Sequence, residues 1–334
     1  MTRKGIAYAG NLIVDQIRTI DRLPGRSELA NIRAVRRSTG GVCNGAIGMT
    51  RLDPSLPVSV YGVVGEDAEG DFILSEFAKA GVGTGCVLRR GVTAFTDVYE
   101  ETSTSCRTFF TFGGASDTFD VDDVPYDTLD QQIFHICYPL LLRALDQPDE
   151  TYGTRMGRML HAARQAGCMT SLDVVSEESD RYLTLVRPIL RYADYITVNE
   201  LEAARISGVQ LSRADGSLIE ENMKEALCRI MEMGVGRQAV IHAPAAAFGM
   251  DAQGHYAALP GKRLPEGFIG GTVGAGDAFC AGVLLAAYRS LGVEDALRYG
   301  SASAIQSLKA DTANGSMTAI DEALVGYDRL PFRK

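Results

Sequence analysis

Tryptophan is absent from this 334-residue sequence, and its four histidines are scattered along the chain. Metal chemistry or a histidine-activated nucleophile therefore has little to build on. The seven cysteines, Cys43, Cys86, Cys106, Cys137, Cys168, Cys228 and Cys280, are odd in number and include no C-x-x-C pair. That argues against a disulfide framework or a cysteine-spaced zinc site, and for reduced, mostly buried thiols in a cytoplasmic protein. Long hydrophobic runs are missing too. The apolar stretch near the N-terminus is interrupted by Asn11 and Asp15, and no signal peptide or transmembrane helix is readable. Positive charge is in deficit, with 33 basic against 42 acidic residues and a net charge of −9. This argues against nucleic acid or an anionic membrane as the main partner. The best basic cluster, NIRAVRRSTGG, reads as a solvated strand edge guarded by its charges.

What is present is the composition of a globular chain, 46% hydrophobic and 22% charged. Short β-like runs (GIAYAGNLIV, VSVYGVVG, QIFHICYP, CMTSLDVV, DYITVN, QAVIHA) alternate with amphipathic segments such as EGDFILSEFAKAG and SLIEENMKEALCRIMEMG. This alternation predicts a doubly wound α/β fold with a mostly parallel sheet. Two regions break the rhythm. Residues 16–39 read as extended and polar, and residues 92–113 as two strands joined by a Ser/Thr turn. The expected organisation is a core of residues 1–15, 40–91 and 114–334, with the two insertions pairing into a small β lid. Such a lid would lie over the carboxyl ends of the core strands, where open α/β sheets bind ligands.

The segment GGTVGAGDAF, residues 270–279, carries the chemistry. It has four glycines in its first seven residues and runs into the apolar stretch AFCAGVLLAAYRSLG, which predicts a buried helix. It lacks the Gly-Lys-Ser/Thr of a Walker A loop and the glycine spacing of the dinucleotide fingerprint. A glycine turn feeding a helix N-terminus is an anion site, because free N–H groups and the helix dipole point into it. The backbone amides of Gly274, Ala275 and Gly276 could then hold a phosphoryl group. Asp277 could take the proton of an attacking hydroxyl, with the helix dipole keeping it ionised at neutral pH. From spacing alone, Asp277 reads equally well as a helix cap worth about 1 kcal/mol.

Taken with a second signature, this segment resembles the ribokinase-like (PfkB-type) carbohydrate kinases. TVGAGDAFCAGVL is similar to the C-terminal signature of that family, and GGVCNGAIGMTRL followed by YGVVGEDAEGDF is similar to its N-terminal one. The two lie about 230 residues apart in the right order, and the resemblance covers nearly the whole chain. It implies ATP-dependent phosphorylation of a hydroxyl, primary by preference, on a sugar or sugar-like molecule. The family's catalytic base falls on Asp277 and its anion hole on Gly274, Ala275 and Gly276. Asp15, Gly40, Gly41 and Asn44 match its acceptor-binding positions. Asn199 and Glu202 in TVNELEAARISG match its N-x-x-E motif, in which Glu202 acts on Mg²⁺ through water; the residues alone read equally as a capping box. Thr272, His242, Asn314 and Gly315 fall at nucleotide-binding positions, and the lid implies a homodimer contact.

The departures from that pattern are local. Gly271 precedes Thr272 where the family usually has Asp, which argues against activation by a monovalent cation. His242, Pro244 and Ala247 stand where the family has Thr and two glycines, so contacts to the nucleotide must differ. Asp173 is retained without the Asn-x-Arg that some relatives carry after it. Two rival readings stay open. One is a nucleoside kinase, with Phe109, Phe110 and Phe112 forming an aromatic floor. The other is a sugar-binding or regulatory relative that has lost turnover, with Pro244, Ala247 and Gly271 as its evidence.

Overall fold

The computed structural model describes residues 3–104 and 106–333. The chain runs from β1 (Ile6–Gly10) through β2 (Leu12–Ile20) and β3 (Ile32–Gly41) to α1 (Val42–Leu52), β4 (Val58–Val64) and α2 (Ala68–Ala80). There follow β5 (Gly83–Arg89), β6 (Ala94–Glu101), β7 (Arg107–Phe112), β8 (Ile133–Cys137), the two-residue strands β9 (Pro148–Asp149) and β10 (Gly153–Thr154), and α3 (Arg155–Gln165). Next come β11 (Met169–Asp173), β12 (Tyr195–Asn199), α4 (Glu200–Ser207), α5 (Met223–Glu232), β13 (Gln238–His242), β14 (Ala246–Asp251) and β15 (Tyr256–Pro260). Three helices close the chain: α6 (Ala275–Tyr288), α7 (Val293–Ser307) and α8 (Ile320–Asp328).

A nine-stranded sheet in the order β15-β14-β13-β12-β11-β8-β1-β4-β5 forms the centre. It is parallel from β13 to β5, and β14 and β15 add an antiparallel edge. Alternation along the strands builds two cores. Ala7 and Ala9 face one with α3 and α5, while Ile6 and Tyr8 face the other with α1, α6 and α7. Strand order reverses around β1, which lies between β4 and β8. The carboxyl ends of β1 and β8 therefore flank a topological switch point, the usual ligand crevice of such sheets.

The lid is a second sheet, in the order β3-β2-β6-β7, and the two insertions meet where β2 pairs with β6 in parallel. It reaches further inward than the sequence suggests. GIAYAGNLIV is not one strand: it leaves the central sheet after Gly10 and enters the lid at Leu12. The Asn11 N–H donates to the Cys137 carbonyl at 3.3 Å, which ties the crossing point to the end of β8. Asp15 therefore stands on a lid strand, and Gly40 and Gly41 end another. The basic cluster on β3 is a charged edge, with Arg33 paired to Asp21, Arg36 to Glu100 and Asp311, and Arg37 stacked on Phe72. Among the described residues no helix is long and apolar enough to cross a membrane.

Candidate active site

The glycine turn and α6 form as the pattern requires. Gly274 is the N-cap in a left-handed conformation, φ 75°, and no side chain caps the helix. A Cβ at this position would lie 2.3 Å from the Ala313 Cβ, so close packing as well as the positive φ calls for glycine. With no capping side chain in the way, the first-turn amides are open to an anion. Asp277 stands in the first turn of α6, and its side chain does not serve as a cap. It turns instead toward the crevice.

There Asp277 Oδ2 accepts from Asn44 Nδ2 at 3.0 Å, and Oδ1 accepts a short bond from the Tyr138 hydroxyl. Burial raises the Asp277 carboxyl above the usual range, and the Tyr138 and Asn44 hydrogen bonds only partly oppose it. Desolvation thus outweighs the lowering expected from the helix dipole. A base closer to neutrality takes a proton more readily than an ordinary carboxylate. Tyr138 carried no role in the sequence reading. Its signal was position, as it directly follows β8 at the switch point.

The acceptor positions gather around the same carboxylate. Asp15 is raised to about 7, first by burial and then by the neighbouring charge of Asp277. A Cβ on Gly40 would lie 2.7 Å from both Asp15 carboxylate oxygens, so only glycine lets β3 pass this close. Gly41 lines a small cavity together with Tyr138 and Asp277. Beside it, under the lid, lies a cavity of about 390 Å³ lined by residues that include Asn11, Ile13, Phe112, Leu140, Arg143 and Arg181. Asn11 is 4% exposed, and its Oδ1 has no hydrogen-bond partner among the described residues. Such an atom is costly unless a ligand satisfies it. Of Phe109, Phe110 and Phe112, only Phe112 lines this cavity.

On the far side of the glycine turn, a second cavity of about 460 Å³ is lined by Asn199, His242, Thr272, Ala275 and Gly276, among others. It meets the anion loop at its edge and is otherwise mostly apolar, as a site for a flat heterocycle requires.

The pfkB family carbohydrate kinase model matches residues 3–319. The chain belongs to that family. It is 24% identical over 241 residues to the ribokinase of Staphylococcus aureus (strain COL), covering 70% of this chain and 71% of that protein. The ribokinase of Arabidopsis thaliana, solved with ribose and ATP, superposes with a TM-score of 0.76 at 20% identity, covering 98% of this chain and 99% of that one. A nucleoside kinase of Methanocaldococcus jannaschii superposes with a TM-score of 0.74 at 14% identity, covering 98% and 100%. At these identities the two structures establish the shared fold.

Within this pfkB kinase the remaining expected residues take different places. Asn199 and Glu202 form a capping box at the start of α4, with Glu202 Oε2 accepting from the Asn199 N–H at 2.9 Å. The other oxygen, Oε1, accepts from Ser176 Oγ at 2.7 Å and Asn199 Nδ2 at 2.9 Å. Glu202 is 4% exposed, and burial raises it to about 7. Both carboxylate oxygens of Glu202 are thus engaged, by the capping box and by Ser176. Asn314 and Gly315 do not line the 460 Å³ cavity, whose wall includes Ser301, Ala304 and Ile305 of α7 and Leu308 at its C-cap. Asn314 lies instead against α1, its Oδ1 3.1 Å from where a Cβ on Gly48 would stand. Pro244 and Ala245 form the tip of the β13–β14 hairpin, closed by the Ala243 N–H donating to Ala246 O at 2.9 Å, and Ala247 is within β14. The departures at Pro244 and Ala247 are therefore built into a strand pair, and both residues still line the cavity.

Proposed function

We propose that the chain transfers the γ-phosphoryl group of ATP to a hydroxyl, primary by preference, of a sugar or sugar-like molecule. The observation that carries this reading is the Asp277 carboxylate. It is oriented by Asn44 and Tyr138, and it stands in the first turn of an uncapped helix, next to Gly276 of the apolar cavity and on the wall of the small cavity that Gly41 and Tyr138 also line. The nucleotide would occupy the apolar cavity with its terminal phosphate at the amides of Gly274, Ala275 and Gly276. The acceptor would lie under the lid against Asp15, Asn44, Gly40 and Gly41, and Asn11 Oδ1 would gain a donor from it. Asp277 would then receive the acceptor's proton as its oxygen attacks phosphorus and ADP leaves. Mg²⁺, held through water by Glu202, would supply charge neutralisation on the phosphate oxygens. Phe109 and Phe110 are more than half exposed on the outer lid strand, which fits a homodimer contact through the lid in a cytoplasmic enzyme.

Coupled ADP release against a panel of pentoses, hexoses, sugar acids and nucleosides tests this. Sugar acids are included because Arg143, which makes no ion pair among the described residues, lines the acceptor cavity with Arg181. Acceptor-dependent ADP release is the expected result. Silence across the panel with several nucleotides and Mg²⁺ would defeat the kinase reading and favour a binding protein.

Tyr138 is the positioning residue for the base. Its hydrogen bond lowers the Asp277 carboxyl, so Tyr138→Phe is expected to raise it further. Losing a bond to a charged group should reduce kcat by about tenfold. The acid limb of the kcat/KM profile should move to higher pH, because the ionised base is then lost sooner on acidification. A fall in kcat with an unmoved limb would give Tyr138 a merely structural part.

A further inference from the structure

Behind the Asp277 carboxyl, β8 and α6 bring together groups that phosphoryl transfer does not use. His135 is buried. Its Nδ1 lies 3.0 Å from Ser171 Oγ, and its Nε2 faces two thiols, Cys137 Sγ at 3.4 Å and Cys280 Sγ at 3.9 Å. With Nδ1 donating its N–H to Ser171, Nε2 keeps the lone pair that a metal ligand needs. Single ligand atoms of His135, Asp173 and Cys280 all lie within 4.8 Å of one another. Nitrogen-to-sulfur spacings of this size are the edges of a tetrahedron around an ion with bonds of about 2.0 Å to nitrogen and 2.3 Å to sulfur.

A second observation points to an occupant. Tyr8 lines the same small cavity as His135, Cys137, Asp173, Asp277 and Cys280. It is 1% exposed, and its hydroxyl has no hydrogen-bond partner among the described residues. A buried phenol left without a partner is costly, and a polar occupant would relieve it. Disulfide-type or C-x-x-C spacing could not have revealed the cluster, since His135 and Cys280 are 145 residues apart in sequence.

We propose that His135, Asp173 and Cys280 bind one soft divalent cation of the zinc type, with the fourth position left to water or to the Tyr8 hydroxyl. Thiolate and imidazole donors select such an ion over Mg²⁺, which takes oxygen ligands. The site is thus chemically separate from the nucleotide's own cation and does not depend on which acceptor the enzyme uses.

The test is titration of the chelator-treated full-length protein with Co²⁺, read by thiolate-to-cobalt charge-transfer absorption, followed by displacement with Zn²⁺. A single equivalent with a thiolate band is expected. Cys280→Ser should weaken uptake by at least about 100-fold and diminish the band, since a ligand is lost. Ser171→Ala, which touches no ligand bond, should weaken it by about 10–100-fold through loss of the orienting hydrogen bond. Circular dichroism and thermal midpoints of both variants establish that they fold. Absence of a thiolate band in the wild type at excess Co²⁺ overturns the proposal. So does a band undiminished in folded Cys280→Ser, which would put the ion on other cysteines.

Discussion

Asp277→Asn is expected to lower kcat by about 10²–10⁴-fold, the usual contribution of a positioned general base, with acceptor affinity nearly intact. The carboxylate accepts from two donors at once, Asn44 Nδ2 and the Tyr138 hydroxyl. An amide offers one acceptor oxygen and one donor nitrogen, so either Asn44 or Tyr138 must give up its bond or turn. The variant therefore loses the base and disturbs its orientation together, while the glycine turn and its amides are unchanged. Steady-state ADP release, with calorimetry of acceptor binding, separates the two effects. A variant that keeps more than about a tenth of the wild-type kcat would remove Asp277 from proton transfer.

The second large effect has opposite signs in two measurements. Asp15 has no hydrogen-bond partner among the described residues, and burial followed by the Asp277 charge raises it from 3.8 to about 7. A raised carboxyl favours the folded state while protonated, so that stability is present below the unfolded pKa. It is lost as pH rises through about 7. Asp15→Asn escapes that loss. Its stability relative to wild type should climb between about pH 4 and pH 7 and level off above, by an amount on the order of a few kcal/mol. Acceptor KM should meanwhile rise by about 10–100-fold, because hydrogen bonds from substrate hydroxyls to a charged acceptor are lost. Urea midpoints across this pH range, alongside acceptor KM, check both. A variant equally stable at every pH would show that Asp15 is not strained by its burial, and an unchanged KM would take it out of the acceptor site.

The parts of this molecule written in local pattern were readable from the sequence. The β–α alternation, the glycine turn before α6 and the Asn199–Glu202 capping box each depend on residues a few positions apart. What failed to show depends on contacts across the fold. The run GIAYAGNLIV stays apolar through Asn11, so periodicity gives no sign that the strand changes sheets there. Tyr138 meets Asp277 across 139 residues of sequence, and nothing in its neighbours announces a partner. The 460 Å³ cavity is lined partly by α7 and not by Asn314 or Gly315, and the small and aliphatic residues of α7 look like ordinary core in sequence.

The crossing at Asn11 has a mechanical consequence. Because Asp15, Gly40 and Gly41 stand on lid strands, the grips proposed for the acceptor would travel with the cover itself. Shutting the lid over an empty cleft would enclose the Asp15 charge with nothing to answer it, whereas an acceptor's hydroxyls would relieve it. On the proposed reading the cover would act as a latch sprung toward open. Water, with only one oxygen to offer Asp15, would be a poor key for it, and ATP would thereby be guarded against idle hydrolysis.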